Sequence, residues 1–243
     1  MGNGSNAQNL RGVWQGLSQD KRADGRGSIY VCTAPTSGVG TSFVTRSMAI
    51  IAAAQFRAEN MGDKQVLIVD MDIQSNAQSQ WFDSPEGRAR FGASEGPYDA
   101  CFGTAPFWRV TPSMVDESGQ NLTDSHFMSL HVVGTANVAY TRFHWEQFRP
   151  GQTAHIQNAR EYWHKLRQYF GAIFVDTPAL DRADIISTVC PEADSTLLIS
   201  ASEEKQSRTL GDAYAKINAL NGRCVGVIFN EPPTGQADFE GSA

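Results

Sequence analysis

The sequence predicts an α/β domain: a parallel, twisted sheet with helices on both faces. Three observations predict it. Short, unbroken apolar runs recur at 28–34 (SIYVCTA), 65–71 (QVLIVDM), 128–133 (MSLHVV), 172–177 (AIFVDT), 195–200 (STLLIS) and 224–229 (CVGVIF). Runs of this kind, unlike alternating ones, suit strands covered on both faces. Segments of helical pattern separate several of them, and strands alternating with helices imply parallel pairing through right-handed crossovers. Finally, 243 residues with 41% hydrophobic content suit one large domain with a sizeable core.

In chain order, residues 1–27 form a polar, Gly-rich arm. Leu10, Val13, Trp14 and Leu17 recur at i, i+3, i+4 and i+7, so a short helix with one apolar face is expected there. The strand at 28–34 runs into the turn PTSGVGTS, and the Ala-rich segment 43–62 predicts a helix stopped near Asn60 and Gly62. After the strand at 65–71, residues 75–125 show no clear period and are expected to hold short helices and long loops. The strand at 128–133 is followed by a helix over 153–170. The strand at 172–177 leads to a short helix over 181–190, the strand at 195–200 to a helix over 203–220, and the strand at 224–229 closes the domain. Residues 28–230 therefore read as one domain, and 231–243, polar with two prolines, as a flexible tail.

Composition excludes several classes of function. The net charge is −6, with acids and bases mixed along the chain; nucleic-acid binding needs clustered Lys and Arg. The cysteines, Cys32, Cys101, Cys190 and Cys224, form no C-x-x-C pair, and Cys32 and Cys224 lie in apolar runs expected to be core. The N-terminus has no apolar signal region, and no run of 18 apolar residues occurs, so a cytoplasmic chain is expected. His144, His155 and His164 lack the i, i+4 spacing of a helical metal pair. Tyr162, Trp163, Phe102, Phe107 and Trp108 are expected to pack, and LRQYF reads as an ordinary helix face.

Three strand ends carry chemistry, and in a parallel sheet ligands bind beyond the carboxyl ends of the strands. The first is Pro35-Thr36-Ser37-Gly38-Val39-Gly40-Thr41-Ser42. Glycines let backbone N–H groups converge on anionic oxygens, and the helix that follows turns its positive end toward them. The P-loop pattern G-x4-G-K-S/T is approached but not met. Pro35 replaces its first Gly and Thr41 its Lys, while Ser42 keeps the metal-binding hydroxyl. Arg46, one turn along the helix, is expected to face elsewhere. The second is Val69-Asp70-Met71-Asp72, whose carboxylates at i, i+2 share one side of a strand. The third is Ile173-Phe174-Val175-Asp176-Thr177-Pro178, a Walker-B-type strand end whose Asp meets a metal. A capping or turn role is the alternative for each Asp.

With these residues in order, the chain resembles the deviant-Walker P-loop ATPases of the MinD and ParA type. Within them it most resembles the cytoplasmic domain of the bacterial tyrosine kinases of polysaccharide export, the Wzc-like kinases. VLIVDMDIQSN, GPYDACFG, MSLHVVGTANVAY, AIFVDTPALDRAD and VGVIFNEPP are the similar segments, and the resemblance spans roughly residues 8–232. It implies a P-loop NTPase fold, with ATP or ADP held by Gly38, Val39, Gly40, Thr41 and Ser42. Ser42, Asp72 and Asp176 would lie at a magnesium ion, Asp70 would activate an acceptor tyrosine, and Asn230 would contact adenine. Gln8-Asn9-Leu10-Arg11 aligns with an E-x-x-R motif of ring assembly, with Gln8 in place of Glu, so a homo-oligomer is left open.

Two departures set the functional expectation. Thr41 removes the point charge that would neutralise the β and γ phosphates, so nucleotide and magnesium binding should be weak or absent. The segment 231–243 contains no Tyr, whereas the resembled kinases end in a tyrosine cluster. The expected function is that of a degenerate, kinase-like cytoplasmic partner. It would bind a membrane-embedded polysaccharide co-polymerase at the inner face of the membrane, in exopolysaccharide or holdfast biosynthesis. The alternatives are an active magnesium–ATP-dependent tyrosine autokinase and a ParA/MinD-like positioning ATPase.

Overall fold

A computed structural model describes residues 3–20, 22–61, 64–115, 118–120, 122–201 and 207–230, with the backbone alone at 3–8 and 207. The expected tail, 231–243, lies outside the described residues.

The helices are α1 (Asn3–Gln19), α2 (Thr41–Ala58), α3 (Ala77–Phe82), α4 (Pro85–Phe91), α5 (Arg160–Tyr169), α6 (Ile186–Val189) and α7 (Ser207–Ala219). The strands are β1 (Ser28–Thr33), β2 (Gln65–Asp70), β3 (Glu95–Asp99), β4 (Trp108–Thr111), β5 (Met128–Val133), β6 (Val138–Phe143), β7 (Thr153–Ile156), β8 (Phe170–Asp176), β9 (Ser195–Ser200) and β10 (Cys224–Phe229). Among the described residues, eight strands form one sheet in the order β10-β9-β1-β8-β2-β6-β5-β3, and β4 and β7 form a separate antiparallel pair. The six strands from β10 to β6 are parallel, while β5 and β3 are antiparallel to their neighbours.

The period of two along each central strand builds two cores. Ile29, Val31, Leu67, Val69, Ile173 and Val175 face one side, which α5, α6 and α7 cover with Tyr162, Trp163, Leu166, Ile186, Val189 and Ile217. Tyr30, Cys32, Val66, Ile68, Ala172 and Phe174 face the other. There α2 lies close, because Ala49, Ala52 and Ala53 bring its backbone down on the sheet. The α/β fold expected from the apolar runs is thus present, with a mostly parallel central sheet covered on both faces.

Four expectations need correction. MSLHVV is a strand, but it runs antiparallel as the first arm of a hairpin, and it is β6 that pairs parallel with β2 on the side away from β8. The turn between them puts Asn137 at φ 55, which an Asn tolerates. The helix expected over 153–170 begins only at Arg160; Thr153–Ile156 pairs with β4, its exposure alternating as a strand's does. Cys224 is partly exposed rather than core, whereas Cys32 is buried and burial pushes its thiol up to about 12. Arg167 of LRQYF is not on an open face but buried in an ion pair with Asp194.

The N-terminal helix is longer than its apolar stripe suggested. Trp14 is buried against Tyr30 and Phe174 at ring distances of 5.5 and 5.7 Å, so α1 belongs to the second core. Phe107 and Trp108 are buried against Tyr162 and Trp163, as expected of packing residues. No helix among the described residues is long and apolar enough to cross a membrane.

Candidate phosphate and carboxylate site

The site forms where the carboxyl ends of β1, β2 and β8 meet. In the register of these parallel strands Asp70 lies beside Asp176, and Asp176 beside Cys32. The chain after Cys32 and Thr33 therefore leaves the sheet next to both carboxylates. It turns through Gly38 and Gly40, at φ 82 and φ 85, into the first turn of α2. Positive φ is what the glycines supply. Gly40 is also a close approach, since a Cβ there would collide with the side chain of Asn230.

Asn230, at the end of β10, is buried, and its Nδ2 donates to the carbonyl of Val39 at 2.8 Å. It fastens the loop from the side opposite the aspartates. On the exposed side Asp181 does the same: its carboxylate accepts from the Ser37 N–H at 3.1 Å and from the Ser37 hydroxyl at 3.0 Å. The loop is pinned at Ser37 and at Val39, and one of its N–H groups already serves a carboxylate.

Asp70 is buried, and both of its oxygens are taken by backbone. Oδ1 accepts from the Asp72 N–H at 3.1 Å and Oδ2 from the Gln78 N–H at 3.0 Å, in the first turn of α3. Its geometry is that of a turn-and-cap aspartate. Burial, reinforced by the charge of Asp176, holds its carboxyl well above the usual range despite these two bonds. Asp72 makes a two-pronged ion pair with Arg182, at 2.7 Å (Nη1–Oδ2) and 3.3 Å (Nη2–Oδ1).

Asp176 is fully buried. Oδ2 accepts from Gln78 Nε2 at 2.6 Å. Oδ1 is buried without a hydrogen-bond partner; the Ser42 hydroxyl lies close enough to favour the ionised form but not in good hydrogen-bond geometry. Burial pushes the Asp176 carboxyl up to about 6, against the opposing pull of Ser42, Gln78 and Arg46.

Gln78 organises the centre. Besides Asp176, its Nε2 donates to the Ser42 carbonyl at 3.1 Å, and its Oε1 accepts from Arg46 Nη1 at 3.4 Å. Arg46 does not face away. It is buried, stacked 4.3 Å over the Trp81 ring, and burial lowers its pKa to about 10 although Asp176, Glu86 and Asp70 favour its charge. The physical reason is spacing: Arg46 follows Ser42 by four residues and shares its helix face.

The structure thus brings Gly38, Gly40, Ser42, Asp70, Asp72, Asp176 and Asn230 to one end of the sheet. Gln78, Arg182 and Asp181 are the members that sequence reasoning missed, and Arg46 is the one it expected to face elsewhere. The i, i+4 spacing could have found Arg46, but Gln78 lies in a polar segment with no period. The magnesium ion implied by the resemblance does not fit this arrangement. Asp70 and Asp72 have both oxygens engaged, and the Gln78 amide bridges Asp176 Oδ2 and the Ser42 carbonyl, so that of the three carboxylates only Asp176 Oδ1, closed to solvent beside the Ser42 hydroxyl, is left unengaged. Among the described residues, no three His, Cys, Asp or Glu side chains are grouped to hold a metal.

No protein-family model matches the chain, and no curated protein matches it in sequence. Solved structures do. The kinase domain of Escherichia coli tyrosine kinase Etk aligns with a TM-score of 0.58 and 12% identity, over 98% of this chain and 80% of that one. The VpsO kinase domain aligns at 0.54 and 14% identity, over 94% and 95%. The BceF tyrosine kinase domain aligns at 0.50 and 17% identity, over 93% and 78%. At such identities the likeness is one of fold: the chain has the P-loop architecture of these bacterial tyrosine kinase domains.

Proposed function

We propose that the chain is a kinase-like P-loop protein without phosphotransfer activity. It acts as the cytoplasmic partner of a membrane-embedded regulator of polysaccharide chain length and export, in exopolysaccharide biosynthesis of the holdfast type. The observation that carries this reading is Thr41 at the position of the phosphate-gripping lysine, in an otherwise retained glycine turn. Phosphoryl transfer relies on positioning and on neutralising charge that develops on the phosphate oxygens. Losing one such group costs on the order of 10²-fold or more in rate. Backbone N–H groups and the α2 N-terminus remain, and they would hold ATP or ADP weakly.

The acceptor side supports the same reading. To take a tyrosine proton, Asp70 would have to use a buried carboxylate oxygen that already accepts a backbone N–H. Three of the six tyrosines, Tyr30, Tyr140 and Tyr162, are buried. The exposed ones, Tyr98, Tyr169 and Tyr214, lie in the regular elements β3, α5 and α7. The fold shared with tyrosine kinase domains supports the partner class, and Arg11, exposed on α1, leaves a subunit contact available. Gln8, the other half of the assembly motif, has its side chain outside the described residues.

The test is intact-mass analysis of the purified full chain after incubation with magnesium and ATP. The expected mass is that of the unmodified chain, and tyrosine phosphorylation would remove the proposal. Cell fractionation checks the partner: the chain should sediment with membranes only while the export regulator is present.

A further inference from the structure

We infer that two of the protein's own side chains, Gln78 and Arg182, occupy the divalent-metal position of this fold, and that the chain takes up no magnesium there. The inference rests on reading Gly38–Ser42 with Asp70, Asp72 and Asp176 as a nucleotide-type site.

Magnesium demands oxygen ligands at about 2.0–2.1 Å in near-octahedral geometry. The protein oxygens that could supply them are Ser42 Oγ and the carboxylates of Asp72 and Asp176. Gln78 Nε2 already lies 2.6 Å from Asp176 Oδ2 and 3.1 Å from the Ser42 carbonyl. An ion bonded to that carboxylate oxygen would overlap the amide nitrogen, and the other oxygen, the unpartnered Oδ1, is closed to solvent. The amide cannot simply turn over and offer its own oxygen. Oε1 is matched to the Arg46 guanidinium, which only donates, and Nε2 to a carboxylate, which only accepts. Flipping would set both ends against like groups. The Trp81 ring, 4.3 Å from the Arg46 guanidinium carbon, keeps Arg46 in place.

Arg182 completes the substitution. Its fork satisfies both oxygens of Asp72, a geometry that Lys would not reproduce. Two fixed guanidinium groups therefore stand among three carboxylates, where a hydrated divalent ion would otherwise balance the charge. Metal entry has to break a bidentate ion pair and displace a fully buried amide.

The probe is Mn²⁺ alone, followed by the electron paramagnetic resonance signal of the free ion over the full chain. Wild type should leave the ion free. Arg182→Ala and Gln78→Ala should each bind one ion at least tenfold more tightly, and Arg182→Lys should fall between. Arg182 is 41% exposed at its side chain, so its removal leaves the core intact, and circular dichroism confirms folding. Wild-type uptake of one ion that no variant improves would overturn the inference, as would failure of folded Arg182→Ala to gain an ion. Mn²⁺ uptake without phosphotyrosine would sink this inference alone. Phosphotyrosine formed by a chain that takes up no Mn²⁺ would sink the proposed function alone.

Discussion

Asp176→Asn should make the folded protein more stable above pH 7, although it removes a fully buried group at the heart of the site. Wild-type Asp176 has one oxygen without a hydrogen-bond partner and a carboxyl pushed up to about 6, chiefly by burial. Its folded pKa exceeds its unfolded value near 3.8. The unfolded chain therefore ionises first, and wild-type stability falls as pH rises between about 4 and 6, then stays reduced. A shift of this size corresponds to roughly 2–3 kcal/mol. Asn keeps an acceptor for Gln78 and carries no charge to desolvate. Urea unfolding in EDTA should show the variant ahead by that amount at pH 8 and the two chains level below pH 4. A variant less stable at pH 8 would mean that Asp176 is well compensated by Arg46 and Ser42.

Arg167→Ala should cost the most stability of any single charge removal, about 3–5 kcal/mol. Arg167 is buried in the last turn of α5, donating to the Gly27 carbonyl at 2.8 Å and to the Glu192 carbonyl, and pairing with Asp194. Asp194 in turn accepts from the Ile29 N–H at 2.7 Å and from Arg22 at 2.8 Å. One guanidinium thus ties α5 to the entrances of β1 and β9. Its loss leaves one buried carbonyl, one part-buried carbonyl and a partly buried carboxylate short of donors. Arg223→Ala is the internal comparison. It breaks an ion pair with Asp20 in which both side chains are about 60% exposed, and it should cost less than about 1 kcal/mol. Equal midpoints for the two variants in urea would show that the buried network is not structural.

The central sheet was legible because β1, β2, β8 and β9 are covered on both faces, and unbroken apolar runs have few other uses. The edges were not. β6 carries Thr141 and Arg142 among its apolar residues, and β7 is four residues long and joined to α5, so a period-2 signal was swamped by the helix beyond it. The site divides the same way. Glycines at positive φ and aspartates at strand ends leave a local trace in the sequence. Gln78, Arg182 and Asp181 act on residues 98, 110 and 144 positions away, respectively, and nothing local marks them. Asn230 was placed at the site by resemblance as a nucleotide contact, and its side chain is found holding Val39.

The most direct measurement is calorimetric titration of ADP into wild type and Thr41→Lys, each folded and at the same salt. If the loop retains its amide cradle and lacks only the cationic group, the lysine variant should bind at least tenfold more tightly, about 1.4 kcal/mol. Wild-type binding as tight as that of the variant would contradict the account, because the phosphate grip would then not depend on the missing charge.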